Sequence, residues 1–99
     1  MARVTRLTQG EIDEALKKLD DWTLHDGKLH REFLFATFVE AFSFMSAMAL
    51  VSEKLDHHPE WFNVYNRVSV DLTTHDAGGI SAKDLAWAER ADRMVASSG

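Results

Sequence analysis

The chain of 99 residues contains no cysteine, a single proline and no long uninterrupted hydrophobic run. The lack of cysteine excludes disulfide bonds, thiolate metal sites and a cysteine nucleophile. The longest nearly apolar stretch, residues 41–51, is interrupted by Ser43 and Ser46 and is too short to cross a bilayer. We therefore expect no membrane-spanning segment.

Positive charge is also scarce. Eleven lysines and arginines stand against 16 aspartates and glutamates, which gives a net charge of −5 and disfavours direct binding to nucleic acid. Charged residues occur throughout residues 1–18, so no signal peptide is predicted. We expect a cytoplasmic protein, and the short length indicates one domain over residues 1–99.

Local signals predict the element order α-β-β-α-β-β-α. A hydroxyl residue followed three positions later by a carboxylate is a capping box, and such boxes open helices at Thr8, Thr37 and Ser81. The first two helices are expected to end near Lys18 and Asp56. Strands are expected over residues 22–25, 29–35, 61–65 and 68–75, with a hairpin turn at Asp26-Gly27. This order indicates an α+β fold in which three helices lie on one face of a four-stranded antiparallel sheet.

The helix predicted over residues 37–56 carries two apolar rows. The first has the spacing of a buried stripe and consists of Ala41, Phe44, Met48, Val51 and Leu55. The second consists of Phe38, Phe42, Met45 and Ala49. Two interpretations stay open: the helix is buried deep in the core, or its second row packs against a second protomer.

Histidines mark the most informative part of the chain. His57 and His58 stand where an apolar helix ends, and His75 follows a strand. Imidazole exchanges a proton near neutral pH, because its unperturbed pKa is about 6.5. Pro59 forces His58 into an extended conformation, which favours a cleft shared by the three histidines. The plainer alternative is a solvated helix end, where protonated histidine interacts favourably with the helix dipole.

A metal site is the competing interpretation, with Asp56 or Glu53 joining the histidines as ligands. Adjacent histidines seldom ligate one ion, and the sequence has no His-x-x-x-His pair. The prediction is therefore a site without metal. Trp61 and Asp84 also have plainer interpretations than a role in the site. Trp61 would be a core aromatic, and Asp84 would cap a helix.

The segment from Glu53 to Asn66, EKLDHHPEWFNVYN, together with Thr74-His75 and Asp84, resembles the pterin-4a-carbinolamine dehydratase family. The likeness extends over about residues 8–96. It implies an α+β fold of three helices on a four-stranded antiparallel sheet, assembled as a dimer of dimers. In mammals the same family includes the dimerisation cofactor of a hepatocyte homeodomain transcription factor.

The resemblance also implies a reaction, the dehydration of 4a-hydroxytetrahydrobiopterin to quinonoid dihydropterin. This reaction recycles the cofactor of aromatic amino-acid hydroxylases and requires no metal or organic cofactor. By resemblance, His57, His58 and His75 carry out general acid/base catalysis. We assign the main acid/base role to His58 and assistance at the leaving hydroxyl to His75.

Further site residues follow from the same resemblance. Besides the three histidines, the residues expected to contact the pterin are Asp56, Thr73, Thr74 and Asp76. Some relatives have glutamate in place of Asp76, so its carboxylate has a shorter reach here. Supporting roles are expected for Glu53, Trp61 and Asp84. The alternative function is a binding module that stabilises a transcription-factor dimer through the apolar helix over residues 37–56.

Overall fold

The computed structural model of the chain describes residues 4–98, with side chains described as far as residue 96. The helices are α1 (Gln9–Leu16), α2 (Phe38–Leu55) and α3 (Ala82–Ser98), and the strands are β1 (Thr23–His25), β2 (Lys28–Leu34), β3 (Glu60–Val64) and β4 (Arg67–Leu72). The strands form one antiparallel sheet in the order β1-β2-β4-β3. The predicted α+β fold and element order are confirmed, while residues 1–3 and 99 of the predicted domain lie outside the described residues.

Two tight turns join the hairpin strands. Asp26 and Gly27 both have positive φ angles, 52° and 76°, which suits the twist of a two-residue hairpin. In the second hairpin Tyr65 has a φ of 50°, a conformation that is costly for a residue with a Cβ atom. The side-chain amide of Asn63 donates to the carbonyl oxygens of Tyr65 at 3.1 Å and Arg67 at 2.8 Å, which offsets part of that cost.

Two element ends differ from the prediction. The first helix ends slightly earlier than expected, at Leu16. The strand predicted as far as His75 ends at Leu72, because Thr74 forms a bridge with Gly79 across the following loop. The Thr74 N–H donates to the Gly79 carbonyl at 2.9 Å, and a 3₁₀ turn then begins at His75. The position of His75 is therefore determined by the loop after β4, and not by the alternation of side chains along a strand.

The core lies between the helices and one face of the sheet. The sheet contributes Leu29, Phe33, Val68, Val70 and Leu72, and α2 contributes Ala41, Phe44, Met48 and Val51. Phe44 packs against Phe33 and Phe35, with ring centroids 4.7 Å and 5.2 Å apart. Burial of each such side chain contributes about 1.5–3 kcal/mol. The first predicted apolar row of α2 therefore faces the core, apart from the half-buried Leu55.

Polar contacts fasten α3 to the sheet beside this core. Asp92 of α3 accepts a hydrogen bond from Trp22 Nε1 at 2.8 Å and another from Arg31 Nη1 at 2.6 Å. The Arg31 guanidinium also lies 4.2 Å from the Phe33 ring centroid, a cation–π distance. One carboxylate thus ties together α3, β2 and the segment before β1.

The second apolar row of α2 lies outside the core of the chain. Phe38, Phe42 and Ala49 are exposed, and Met45 is half-buried. Burial of both rows within one chain is therefore wrong, and an uncovered apolar surface of this kind is typical of an interaction site. Within residues 4–98, no helix combines the length and the apolar character that a membrane span requires.

Candidate active site

The end of α2 directs the chain into the candidate site. Asp56 adopts a left-handed conformation with φ 53° and ψ 45°. The Asp56 N–H donates to the Glu53 carbonyl at 3.3 Å, and the His57 N–H donates to the Ser52 carbonyl at 3.0 Å. These two bonds form a Schellman motif. The helix therefore ends through the reversal at Asp56, before Pro59 is reached.

His57 enters the interior after this reversal. It is only 8% exposed, and its Nε2 lies 2.5 Å from Oδ1 of the fully buried Asp84. The other carboxylate oxygen, Oδ2, accepts hydrogen bonds from Thr74 Oγ1 at 2.7 Å and from the Ser81 N–H at 2.9 Å. A buried carboxylate is costly unless donors replace its lost water. Asp84 is satisfied by three donors from separate parts of the chain.

Each hydroxyl group in this network has a single proton to donate, and this fixes the direction of the hydrogen bonds. The single hydroxyl proton of Thr74 is donated to Asp84, so the Ser81 hydroxyl must donate to Thr74 Oγ1, 2.7 Å away. Ser81 Oγ in turn accepts from the Lys83 N–H at 3.2 Å. An ionised carboxylate only accepts, so the proton of neutral His57 lies on Nε2.

In the neutral form of His57, the lone pair is therefore on Nδ1. No described residue forms a hydrogen bond with this atom, and it is not one of the polar atoms closed off from solvent. The buried network thus leaves one ring nitrogen of fixed orientation open to solvent.

His58 lies in a different environment from its neighbour. Its side chain is 57% exposed, and Nε2 lies 2.5 Å from Oε2 of Glu53, which is also exposed. An exposed ion pair of this kind contributes little to stability. The contact does, however, orient the His58 imidazole toward Glu53.

His75 lines an open cavity of about 310 Å³ beside the end of β4. The other lining residues are Lys28, Glu60, Thr73, Thr74, Gly78 and Gly79. Thr74 belongs both to this cavity and to the Asp84 network, so His57 is linked to the cavity through one carboxylate and one hydroxyl. Neither His57 nor His58 lines the cavity itself.

The other residues predicted for the site surround these groups. Thr73 lines the cavity, and Asp76 is exposed in the turn that His75 begins. Asp56 exposes its carboxylate, while its carbonyl accepts from Lys83 Nζ at 3.3 Å. Within residues 4–98, histidines and carboxylates do not gather into a group that would hold a metal ion.

Trp61, for which a supporting role was predicted, packs against a second tryptophan. Its ring lies edge-on to that of Trp87, with centroids 6.0 Å apart and an interplanar angle of 76°. Trp87 is fully buried, and its Nε1 donates to Ser52 Oγ at 2.8 Å. These contacts fix the start of β3 against the end of α2, on either side of the two histidines.

The sequence analysis missed three residues of this region. Ser81 was expected only as a helix cap, although its hydroxyl also orients Thr74. Lys28 and Glu60 form an ion pair of 2.6 Å across the end of β4, and the hydrogen bond to Glu60 raises the pKa of Lys28. Because these two residues lie on strands that are not neighbours, no local pattern indicates their contact.

Comparison with known proteins gives the family. The family model of pterin 4 alpha carbinolamine dehydratase matches residues 5–94. The chain belongs to this family. Two relatives whose names refer to this dehydratase come from Solibacter usitatus, with 55% identity over 93% of this chain and 97% of its own length, and from Novosphingobium aromaticivorans, with 57% identity over 93% and 98%.

A solved structure agrees with this family. The transcriptional coactivator/pterin dehydratase from Brucella melitensis matches with a TM-score of 0.87 and 48% identity, over 90% of this chain and 97% of that one. The predicted family and the predicted enzyme class, a hydro-lyase, are confirmed.

The left-handed conformation of Asp56 leads to a stability prediction. Asp56→Ala should lower the free energy of unfolding by about 1 kcal/mol, because alanine pays the full steric cost of this conformation. Asp56→Gly should be at least as stable as the wild type, because glycine adopts the conformation freely. Urea unfolding measures both, and each variant removes the same carboxylate. An equal loss in the two variants would contradict the role assigned to the backbone.

Proposed function

We propose that the protein dehydrates 4a-hydroxytetrahydrobiopterin to quinonoid dihydropterin and so recycles the pterin cofactor of aromatic amino-acid hydroxylases. In this reaction the C4a–O bond breaks, N5 loses its proton, a C4a=N5 double bond forms and water leaves. An acid is needed at the hydroxyl and a base at N5, and each such group typically contributes about 10²–10⁴-fold. Family membership supports the reaction, and the network that connects His57 through Asp84 to the His75 cavity supports the placement of the substrate there.

His58 is the main acid/base in this proposal and accepts the proton of N5, which requires the bound ring to extend beyond the residues that line the His75 cavity. Glu53, 2.5 Å from Nε2, stabilises the imidazolium that forms. His75 donates a proton to the leaving hydroxyl from the cavity wall. The exposure of both imidazoles supports these roles, because a side chain that exchanges protons with a substrate must be accessible to it.

His57 has a different role, since its position is fixed. Its Nδ1 accepts a hydrogen bond from the substrate, and Asp84 maintains the tautomer that makes this possible. Thr74 and Ser81 are positioning residues that act through Asp84. The polar edges of the pterin ring are contacted by the remaining predicted residues: Asp56, Thr73, Thr74 and Asp76.

The first activity prediction concerns His58. His58→Ala should lower kcat by about 10²–10³-fold, because the main proton acceptor is lost. The matched control is His25→Ala, an exposed histidine on β1 outside the site, which should retain wild-type activity. The measurement is the spectroscopic decay of the 4a-hydroxy compound. An unchanged rate in His58→Ala would show that the acid/base assignment is wrong, and a wild-type protein without activity would refute the proposed reaction.

The second activity prediction concerns the tautomer of His57. In Asp84→Asn, the amide oxygen must still accept from Thr74 and Ser81, so the amide nitrogen donates to Nε2 and the imidazole proton moves to Nδ1. Activity should fall by at least about 10²-fold as the acceptor at Nδ1 is lost. Nitrogen-15 NMR shifts of the imidazole measure the tautomer.

Asp71→Asn is the control for this experiment. Asp71 accepts from His30 Nδ1 at 2.9 Å on the face of the sheet away from the helices, so this variant alters another histidine–carboxylate pair but should keep full activity. Full activity in Asp84→Asn, or a His57 tautomer that does not change, would contradict the positioning role.

The uncovered apolar row of α2 supports a second proposal, that this face binds a second copy of the chain in a homodimer or homotetramer. Phe42, at the centre of the row, is 53% exposed, and its ring centroid lies 5.7 Å from that of Phe38. Burying these rings against a second copy would remove apolar surface that the chain alone leaves in water. The same face is the candidate surface for stabilising a transcription-factor dimer, and the relative from Brucella melitensis is described as a transcriptional coactivator as well as a pterin dehydratase.

Phe42→Glu tests this face. A carboxylate in the middle of the apolar row should lower the oligomeric mass measured by light scattering, because its burial is costly. The control, Leu34→Glu, places the same charge at a residue that is 69% exposed on the sheet, and should leave the mass unchanged. A monomeric wild type, or an unchanged mass in Phe42→Glu, would contradict self-association through α2. Pull-down with the same variants tests the transcription-factor role.

A further inference from the structure

A second cavity, of about 610 Å³, adjoins the cavity that contains His75. Both are lined by Lys28, Thr73, Gly78 and Gly79, so the two cavities adjoin at these four residues. The second cavity has an apolar base that includes the buried Ile12 and Ile80, with polar groups around it. A ring bound beside His75 therefore has an open space next to it, large enough for a substituent that the ring carries.

Among the described residues that line this second cavity, one charged side chain has no charged partner. The lining contains three charged residues, Arg6, Asp26 and Lys28. Lys28 pairs with Glu60 at 2.6 Å, and Asp26 lies 3.4 Å from His25. Among residues 4–98, no carboxylate forms an ion pair with the Arg6 guanidinium and no acceptor bonds to it.

The backbone of Arg6 is held in place near Gly79, which lines both cavities. Its backbone forms an antiparallel bridge with Ser81, and the next residue, Leu7, donates its N–H to the Ile80 carbonyl at 2.8 Å. Its side chain lies across Gly79, where an added Cβ would be 3.2 Å from both Cδ and Nε of Arg6. The absence of a side chain at Gly79 thus gives the arginine stem room beside both cavities.

We propose that the second cavity receives the substituent of the substrate ring, and that Arg6 extends the range of substrates beyond 4a-hydroxytetrahydrobiopterin, whose substituent is uncharged, to reduced pterins whose substituent ends in an anionic group such as a carboxylate. The planar guanidinium fork binds such oxygens in a bidentate manner. Because the chain has a net charge of −5, its overall charge does not attract anions, so this selectivity depends on the local contact. The inference rests on the proposed function, since it assumes a pterin ring at His75.

The test compares the dissociation constants of two stable dihydropterins, one with a methyl group and one with a carboxyalkyl chain at C6. Wild-type protein should bind the carboxyalkyl compound more tightly, and Arg6→Gln should weaken it about tenfold relative to the methyl compound, the effect of losing one charge-assisted contact. Arg6→Lys should retain part of the preference, because it keeps the charge but not the fork. Added salt should reduce the preference in the wild type.

Arg93→Gln is the matched control, because it removes the same charge from an exposed position on α3 and should change neither constant. An equal effect of Arg6→Gln on both compounds, or no effect on either, would overturn the inference, as would a wild type without preference. If the wild type fails to bind the methyl compound, the proposed function itself is wrong, since that compound tests only the ring.

Discussion

The buried charge of Asp84 is the constraint on which the site and much of the fold depend. A carboxylate removed from water is unfavourable by several kcal/mol unless hydrogen-bond donors replace the solvent. The donors come from His57 after α2, Thr74 after β4 and Ser81 before α3. These three segments must meet around the Asp84 carboxylate if it is to be buried. The same contacts orient the imidazole of His57.

Asp84 has a second duty within α3, because its carboxylate returns to the N–H of Ser81 as the reciprocal bond of a helix cap. A negative charge in the first turn of a helix is stabilised by the helix dipole. The same carboxylate lies 2.5 Å from His57 Nε2. The cap of α3 and the orientation of His57 therefore both depend on Asp84, and a substitution of Asp84 affects both.

The sequence predicted those features that depend on residues close together in the chain. The cap at Thr8 and the Asp26-Gly27 turn each involve a few consecutive positions, and the structure contains both. The bond between His57 and Asp84 joins residues 27 positions apart, and the Lys28–Glu60 pair joins residues 32 apart. Such contacts have no periodic signature, because the topology of the whole sheet creates them. The family resemblance named the histidines but did not indicate that one is buried and its neighbour exposed, which follows from the backbone reversal before them.

The pair of tryptophans beside the site has a spectroscopic consequence. Trp87 is buried one turn after Asp84 in α3, and its Nε1 donates to Ser52 Oγ. Trp61 is half-buried against Trp87. Indole emission responds to local polarity and to hydrogen bonding, so a ligand that changes the surroundings of this pair is expected to alter the intrinsic fluorescence. The remaining tryptophan, Trp22, is bonded to Asp92 on another part of α3 and reports on a separate contact. The protein thus carries built-in optical probes for ligand binding and for unfolding, without any attached label.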